Sequence, residues 1–364
     1  MKLRMVVLVY LVVSVPEAVF SQTTRSIYSN LSNPAIGLNA LFTAQVAPDI
    51  DDPYGLYFDA AELSLATDVD PYWTLWANIT FTAEEVDPEE VWVRTTRIPS
   101  VLLQLGKMRA KFGKQGLLHT HAFPFVLAPV ISSNTIGEEG FKDSGVEASW
   151  LTPVSWFMEL TGGIYLAMEE SEQNPLDFGS TDHSNIPVGA HLKNQFDLSE
   201  NTTMELGVSG LTGKGSDEHQ RTVYGADLTF RNVPARQSNR RGWILSAEYI
   251  GKGHSADGSF IQEQRGWFAQ FQYRFAQTWW AGVRGEQALD SYTDVLVDAD
   301  TGDPIPGDVY RGSVNVAWTP SEFSYVRLEY DYLQGDDGNG FKPTDQRVML
   351  ELSYTIGYHP PHAY

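Results

Sequence analysis

Arg347-Val348-Met349-Leu350-Glu351-Leu352-Ser353-Tyr354-Thr355-Ile356-Gly357-Tyr358 alternates along its whole length. Val348, Leu350, Leu352, Tyr354, Ile356 and Tyr358 fall at one parity; Arg347, Met349, Glu351, Ser353, Thr355 and Gly357 fall at the other. Extended backbone sends successive side chains to opposite faces. The stretch therefore predicts a strand with one apolar, aromatic face and one mostly polar face. The pattern recurs in Val326, Leu328, Tyr330 and Tyr332, interleaved with Arg327, Glu329 and Asp331. It recurs again in Gly312–Trp318, Trp267–Phe275 and Trp73–Phe81. Ionised Arg327, Glu329 and Asp331 on one strand face would be very costly in a closed soluble core. On the wall of a water-filled lumen, with the apolar face against lipid, they are natural.

Sixteen such segments can be counted, near residues 35–46, 56–68, 72–83, 89–97, 101–112, 144–151, 156–168, 186–198, 202–213, 222–233, 240–252, 265–276, 279–289, 309–319, 323–334 and 345–357. The connections alternate between short, such as Ile98–Ser100 and Gln277–Thr278, and long, such as Gly113–Asp143, Glu169–Asn185, Gly253–Gln264 and Asp290–Asp308. Outer-membrane barrels have short periplasmic turns and long external loops. The fold expected is all-β: a 16-stranded antiparallel transmembrane β-barrel whose third loop, about residues 113–143, folds inward. That loop is the longest connection and holds Pro124, Phe125, Pro129 and Ile131, an apolar content suited to a barrel interior rather than to water.

Bulk composition agrees. Aromatics make up 12% of the 364 residues, there are 31 glycines, and mean hydropathy is −0.25, as averaging over alternating strands requires. Residues 1–21 read as a secretory signal: Lys2 and Arg4, then the apolar run Met5–Val15, then Val19-Phe20-Ser21 as a cleavage site. The run is too short to span a bilayer. Residues 22–364 are then the barrel. Net charge is −21; a leader carrying Lys2 and Arg4 against Glu17 leaves the remainder one unit more negative, at −22. Such acidity argues against nucleic acid as a partner. The absence of cysteine excludes disulfides, thiolate metal sites and lipid acylation at cysteine.

Leu105-Gly106-Lys107-Met108-Arg109-Ala110-Lys111-Phe112-Gly113, Pro124-Phe125, and Gly137-Glu138-Glu139-Gly140-Phe141-Lys142-Asp143-Ser144-Gly145-Val146 resemble the constriction region of the phosphate-selective porin O/P-like family. The resemblance implies a sixteen-stranded outer-membrane barrel, commonly a homotrimer, with a third loop narrowing the pore and no cofactor. It implies passive diffusion of small hydrophilic solutes, in contact with outer-membrane lipid and lipopolysaccharide.

Lys107, Arg109 and Lys111 stand two apart, so they share a strand face, and Lys114 follows at the mouth of the loop. A basic ladder lining a constriction would select anions by replacing part of their hydration. Leu103 and Leu105 share its parity, so a bulge near Gly106 is needed to turn the ladder inward. Lumenal Glu147 and Glu159 are its candidate partners on the wall, and Glu138 and Glu139 could face it from the loop, setting a transverse field. His119 and His121 are expected to be exposed loop histidines, without a complete ligand set for a metal. No serine sits in a recognisable nucleophile turn, and His191 is the main histidine on a predicted strand, so catalysis is not expected. A barrel that sheathes or anchors a partner protein is the alternative reading.

Overall fold

A computed structural model describes residues 34–47, 54–167, 175–179, 185–217, 219–234, 240–256, 259–293, 295–298 and 303–358. The expected signal at residues 1–21 and the tail beyond Tyr358 lie outside them. Sixteen strands follow in chain order. They are β1 (Ala35–Val46), β2 (Tyr54–Asp68), β3 (Thr74–Phe81), β4 (Val86–Ile98), β5 (Val101–Arg109) and β6 (Lys142–Leu151). Next come β7 (Phe157–Tyr165), β8 (Val188–Ser199), β9 (Thr202–Lys214), β10 (Gln220–Asn232) and β11 (Gly242–Ala256). The last five are β12 (Ser259–Ala276), β13 (Trp279–Ser291), β14 (Gly307–Ser321), β15 (Ser324–Asp336) and β16 (Thr344–Gly357).

Each strand pairs antiparallel with its neighbours in sequence, and β1 closes the barrel on β16, from Gly37↔Gly357 to Val46↔Val348. Closure leaves no unpaired sheet edge, a condition for a sheet placed in hydrocarbon. The alternation that predicted the strands sorts by face. Val348 and Tyr354 are 44% and 53% exposed on the outer wall, whereas Glu351 and Ser353, at the opposite parity, are 1% and 3% exposed inside. Trp279 and Trp318 pack together on the outer wall near the short-turn end, 6.5 Å between ring centroids. No helix among the described residues is long and apolar enough to cross a membrane.

Two expected boundaries shift. The segment expected as the long loop Gly253–Gln264 is instead the tall end of a hairpin: β11 and β12 stay paired out to Ala256↔Ser259. Their register slips between Lys252 and Gly253. A side chain at Gly253 would come within 2.2 Å of the Ile261 carbonyl oxygen, so the strands approach closely only because the residue is glycine. Conversely, β5 stops at Arg109 rather than at residue 112, because the chain leaves the wall there; the Ala110 amide bonds the Phe141 carbonyl at 2.8 Å, closing the base of the third loop.

Inside the barrel, the half nearest the long connections is not polar throughout. Leu211, Val223, Ile250, Val309 and Leu333 turn inward from β9, β10, β11, β14 and β15 and are at most 2% exposed. They pack with Leu176, Phe178 and Leu296 of the long connections and with Val130, Ile131, Ile136 and Phe141 of the third loop.

On this architecture an outward Val314→Arg change, midway along β14, is expected to destabilise the barrel by ~2–4 kcal/mol in bilayers. Guanidinium unfolding of vesicle-inserted protein measures it, and an unmoved midpoint would show that this face does not meet hydrocarbon.

Candidate functional site

The third loop crosses the lumen. After Arg109 the chain passes two short 3-10 turns (Gln115–Leu117 and Thr120–Ala122) and a single helical turn, α1 (Val130–Thr135), before rejoining the wall at β6. A backbone with so little internal hydrogen bonding must find partners in the wall, since unpaired buried amides and carbonyls are costly. It finds them on opposite sides. The Gly113 amide donates to Ser209 Oγ at 2.9 Å, and the Lys114 and Gln115 amides donate to Glu248 Oε2 at 3.2 and 3.1 Å.

Across the bore, β13, β14 and β15 hold the middle of the loop. Arg327 donates to the Phe123 carbonyl at 2.7 Å, Asn315 to that of Pro124 at 3.0 Å, Arg284 to that of Leu127 at 2.7 Å and Arg311 to that of Ala128 at 3.0 Å. Glu329 and Glu286 accept from the Val126 and Val130 amides at 3.0 and 2.6 Å. The Arg284 guanidinium also lies over the Phe125 ring, 4.7 Å from its centroid. These wall residues were not singled out in the sequence, although Arg327 and Glu329 carried the signal: charged residues at lumenal parity.

The basic ladder does face inward. No register shift marks Gly106; instead its φ is +129°, a conformation that breaks strict alternation and that glycine alone adopts without strain. A side chain there would also come within 2.3 Å of the Val91 carbonyl oxygen. Leu105 pairs with the outward Val146, while Lys107, two residues on, reaches Asp87 at 3.3 Å. Arg109 meets Glu89 at 2.8 Å and Glu139 at 2.9 Å, Lys111 meets Glu159 at 3.2 Å, and Lys114 meets Glu205 at 3.2 Å. Each ladder cation is thus seated on a carboxylate. Glu147 has a different task from the one expected: it accepts from the Lys111 amide at 3.1 Å and the Tyr165 hydroxyl at 2.6 Å. Of the loop pair, Glu139 meets the ladder, whereas Glu138 makes no ion pair with it.

Arg109 is the centre of the site. Its side chain is 3% exposed, and besides its carboxylates it donates to the Leu118 carbonyl at 2.8 Å. His119 and His121 are buried or nearly so, against the expectation of exposed loop histidines, because the loop lies within the lumen. Their rings stack 5.7 Å apart, and Glu62 of β2 bridges them at 3.3 and 2.9 Å. Glu62, His119 and Glu139 place ligand atoms within 4.8 Å of one another. The guanidinium of Arg109, 2.7 Å from His119 Nδ1 and 2.9 Å from Glu139, already supplies the positive charge at that point. The residues read as an ion-pair network rather than a metal centre.

Burial and Arg109 oppose protonation of His119, but the carboxylates of Glu62 and Glu89, 3.3 and 3.7 Å away, outweigh them and hold its pKa up to about 9. Burial likewise opposes ionisation of Glu139, yet Arg109 and Lys142 hold its carboxyl well below the usual range. Burial, then the adjacent Glu139, push the Glu138 carboxyl up.

One further pair bears on catalysis. Ser209 Oγ lies 2.8 Å from His191 Nδ1, the arrangement of a nucleophile and its base. The same oxygen accepts the Gly113 amide, and both side chains are buried behind the loop. The serine serves to anchor the loop.

Two outcomes follow. Arg109→Met strands buried carboxylates and is expected to weaken loop docking by ~3–5 kcal/mol, read as accelerated protease cleavage between residues 113 and 141. His119 adds stability that is complete below its ordinary value of 6.5 and is lost as pH rises through about 9. Glu139 adds stability that is complete above its ordinary value of 4.5 and is lost as pH falls toward its depressed one. Protection of the loop is therefore expected to be greatest between pH 4.5 and 6.5 and to decline toward pH 9, with His119→Gln flattening the alkaline limb. A parent protein already flat there would show that the docked imidazole is neutral.

No family model matches the chain. A protein of uncharacterised function from Aquifex aeolicus is 25% identical over 341 residues, covering 87% of this chain and 71% of its own length. Among solved structures, OprB of Pseudomonas putida aligns with a TM-score of 0.63 at 8% identity, over 90% of this chain and 95% of its own. The anion-selective porin of Comamonas acidovorans aligns at 0.61 and 9%, over 89% and 100%. The outer-membrane channel DcaP of Acinetobacter baumannii aligns at 0.55 and 13%, over 89% and 96%. The barrel has the fold of outer-membrane porins and channels.

Proposed function

We propose that the protein is a passive channel of a Gram-negative outer membrane, admitting small hydrophilic solutes through a lumen narrowed by its third loop. The observation that carries this reading is a closed sixteen-strand wall with a polar inner face, crossed by a tethered loop and still hollow on both sides of it. A cavity of about 870 Å³ lies on the side of the long connections, and one of about 670 Å³ lies toward the short turns, lined by Lys114, Glu205, Thr229 and Arg231 among others. Barrels of this strand number are wide enough to hold an aqueous passage. A sheath for a partner protein fits less well, because the chain's own loop and apolar cluster occupy the bore that a partner would need.

The finer expectation, anion selection by the basic ladder, draws little support from the geometry. Lys107, Arg109, Lys111 and Lys114 each face a carboxylate within 3.3 Å, so their fields are largely spent locally. Trimeric assembly remains part of the proposal. A solved Vibrio cholerae outer-membrane protein of the same fold, OmpT, is described in a trimer form, aligning at a TM-score of 0.56 and 10% identity over 89% of this chain and 99% of its own.

Refolded protein in a planar bilayer is expected to give stepwise, ohmic openings, with a larger unitary step for Arg109→Met as the loop loosens. A correctly folded barrel that never conducts would remove the channel reading.

A further inference from the structure

We infer that solutes enter this barrel from the long-connection side off its axis, through a vestibule bounded by β16, β1, β2, β3 and β4, and that this vestibule favours cations. The inference rests on the channel reading above and names its solute class.

The location follows from what fills the rest. Over β9 to β15 the lumen on the long-connection side is closed by the apolar cluster of Leu211, Val223, Ile250, Val309 and Leu333 with the long connections. Hydrated solutes gain nothing from such a surface. On the remaining wall the cavity of about 870 Å³ is bounded by Thr43 and Gln45 of β1, Tyr57 of β2, Thr80 of β3 and Met349 of β16. Its floor is the third loop, from Val126 to Lys142.

The preference follows from which charges are spent. The two ammonium groups lining this cavity are both paired: Lys107 with Asp87, and Lys142 with Glu89 and Glu139 at 3.7 and 3.3 Å. Glu351 is paired with Arg327 at 2.7 Å. Asp59, Glu85 and Glu138 line the same cavity and make no ion pair among the described residues. Asp59 Oδ2 has no hydrogen-bond partner among the described residues. The net field that a solute meets is therefore negative, and within a protein-walled cavity it is screened less than at the surface.

A backbone irregularity aims one of these acids, and another irregularity lies beside the paired Glu89 of the same cavity. The register of β1 and β2 slips between Leu41↔Ala60 and Phe42↔Phe58, leaving Asp59 as the extra residue. That of β3 and β4 slips between Asn78↔Glu90 and Thr80↔Asp87, and Glu89 and Glu90, adjacent in sequence, are both buried. Bulges re-aim side chains in this way beside functional cavities.

The test is the reversal potential of single channels of the full chain under a potassium chloride gradient. Potassium is expected to permeate in preference to chloride, and the double variant Asp59→Asn with Glu138→Gln should lower that ratio at least about twofold. The chain has no cysteine, so position can be read by thiol labelling. A cationic methanethiosulfonate reagent should reduce conductance through Gln45→Cys, in the cavity, and leave His219→Cys, above the apolar cluster, unchanged. Folding of each variant is checked by heat-modifiable migration on a gel. Channels that prefer chloride, a ratio untouched by the double variant, or block at His219→Cys alone would overturn the inference while leaving the channel reading intact. A folded parent protein without openings would overturn both.

Discussion

A peptide chain laid across the inside of a barrel has to satisfy its amides and carbonyls without a sheet or a long helix of its own. Much of the lumenal chemistry of this protein answers that demand. Arg284, Arg311 and Arg327 reach carbonyls of the loop, Glu248, Glu286 and Glu329 reach its amides, and Arg109 ties the base of the loop to Leu118 and to Glu139. Hydrogen bonds to charged groups are worth ~1.5–3 kcal/mol each, more than neutral ones, which suits anchoring a segment with little secondary structure. The cost is that a charge committed to the loop projects little field into the open part of the lumen.

This commitment explains the asymmetry of the lumen. Where the loop leans on β13, β14 and β15, the wall carries both signs of charge in matched pairs, and the space beyond is sealed by aliphatic side chains. Where the loop floors the larger cavity beside β16, β1 and β2, Asp59 of the wall and Glu138 of the loop make no ion pair among the described residues. One face of the loop is buttressed and the other borders a hollow. The two roles need opposite surfaces, and a single sixteen-strand circuit supplies both because each strand contributes its own short row of inward residues.

The barrel was legible because its evidence is periodic and repeated. Val348 to Ile356 outside and Glu351 to Thr355 inside state the rule for one strand, and fifteen further segments repeat it, so errors at single boundaries do not accumulate. The loop's insertion was legible from Phe125, Pro129 and Ile131, which have no reason to face water. Three things were not legible. Parity alone left the direction of Lys107 and Arg109 undecided, because it depends on the backbone angle at Gly106. The burial of His119 and His121 depends on where the loop comes to rest, far from them in sequence at Glu62. The apolar cluster was hidden because Leu211, Val223 and Leu333 look like ordinary strand residues until their inward side is known.

A ladder of basic residues is a weak guide to selectivity for the same reason. Spacing on β5 sets which side Lys107 and Arg109 face, but Asp87 and Glu89 of β4 and Glu139 of the loop set what field remains. At 4 Å a unit charge is worth ~4 kcal/mol at an effective dielectric near 20, so one well-placed carboxylate can cancel a ladder member for a passing ion. The motif and its neutralising partners lie on different strands, and only closure of the barrel brings them together. On the proposed channel reading, what would discriminate between ions is the residue left over after pairing, and in this lumen the residues facing the larger cavity that make no ion pair among the described residues are acids: Asp59, Glu85 and Glu138.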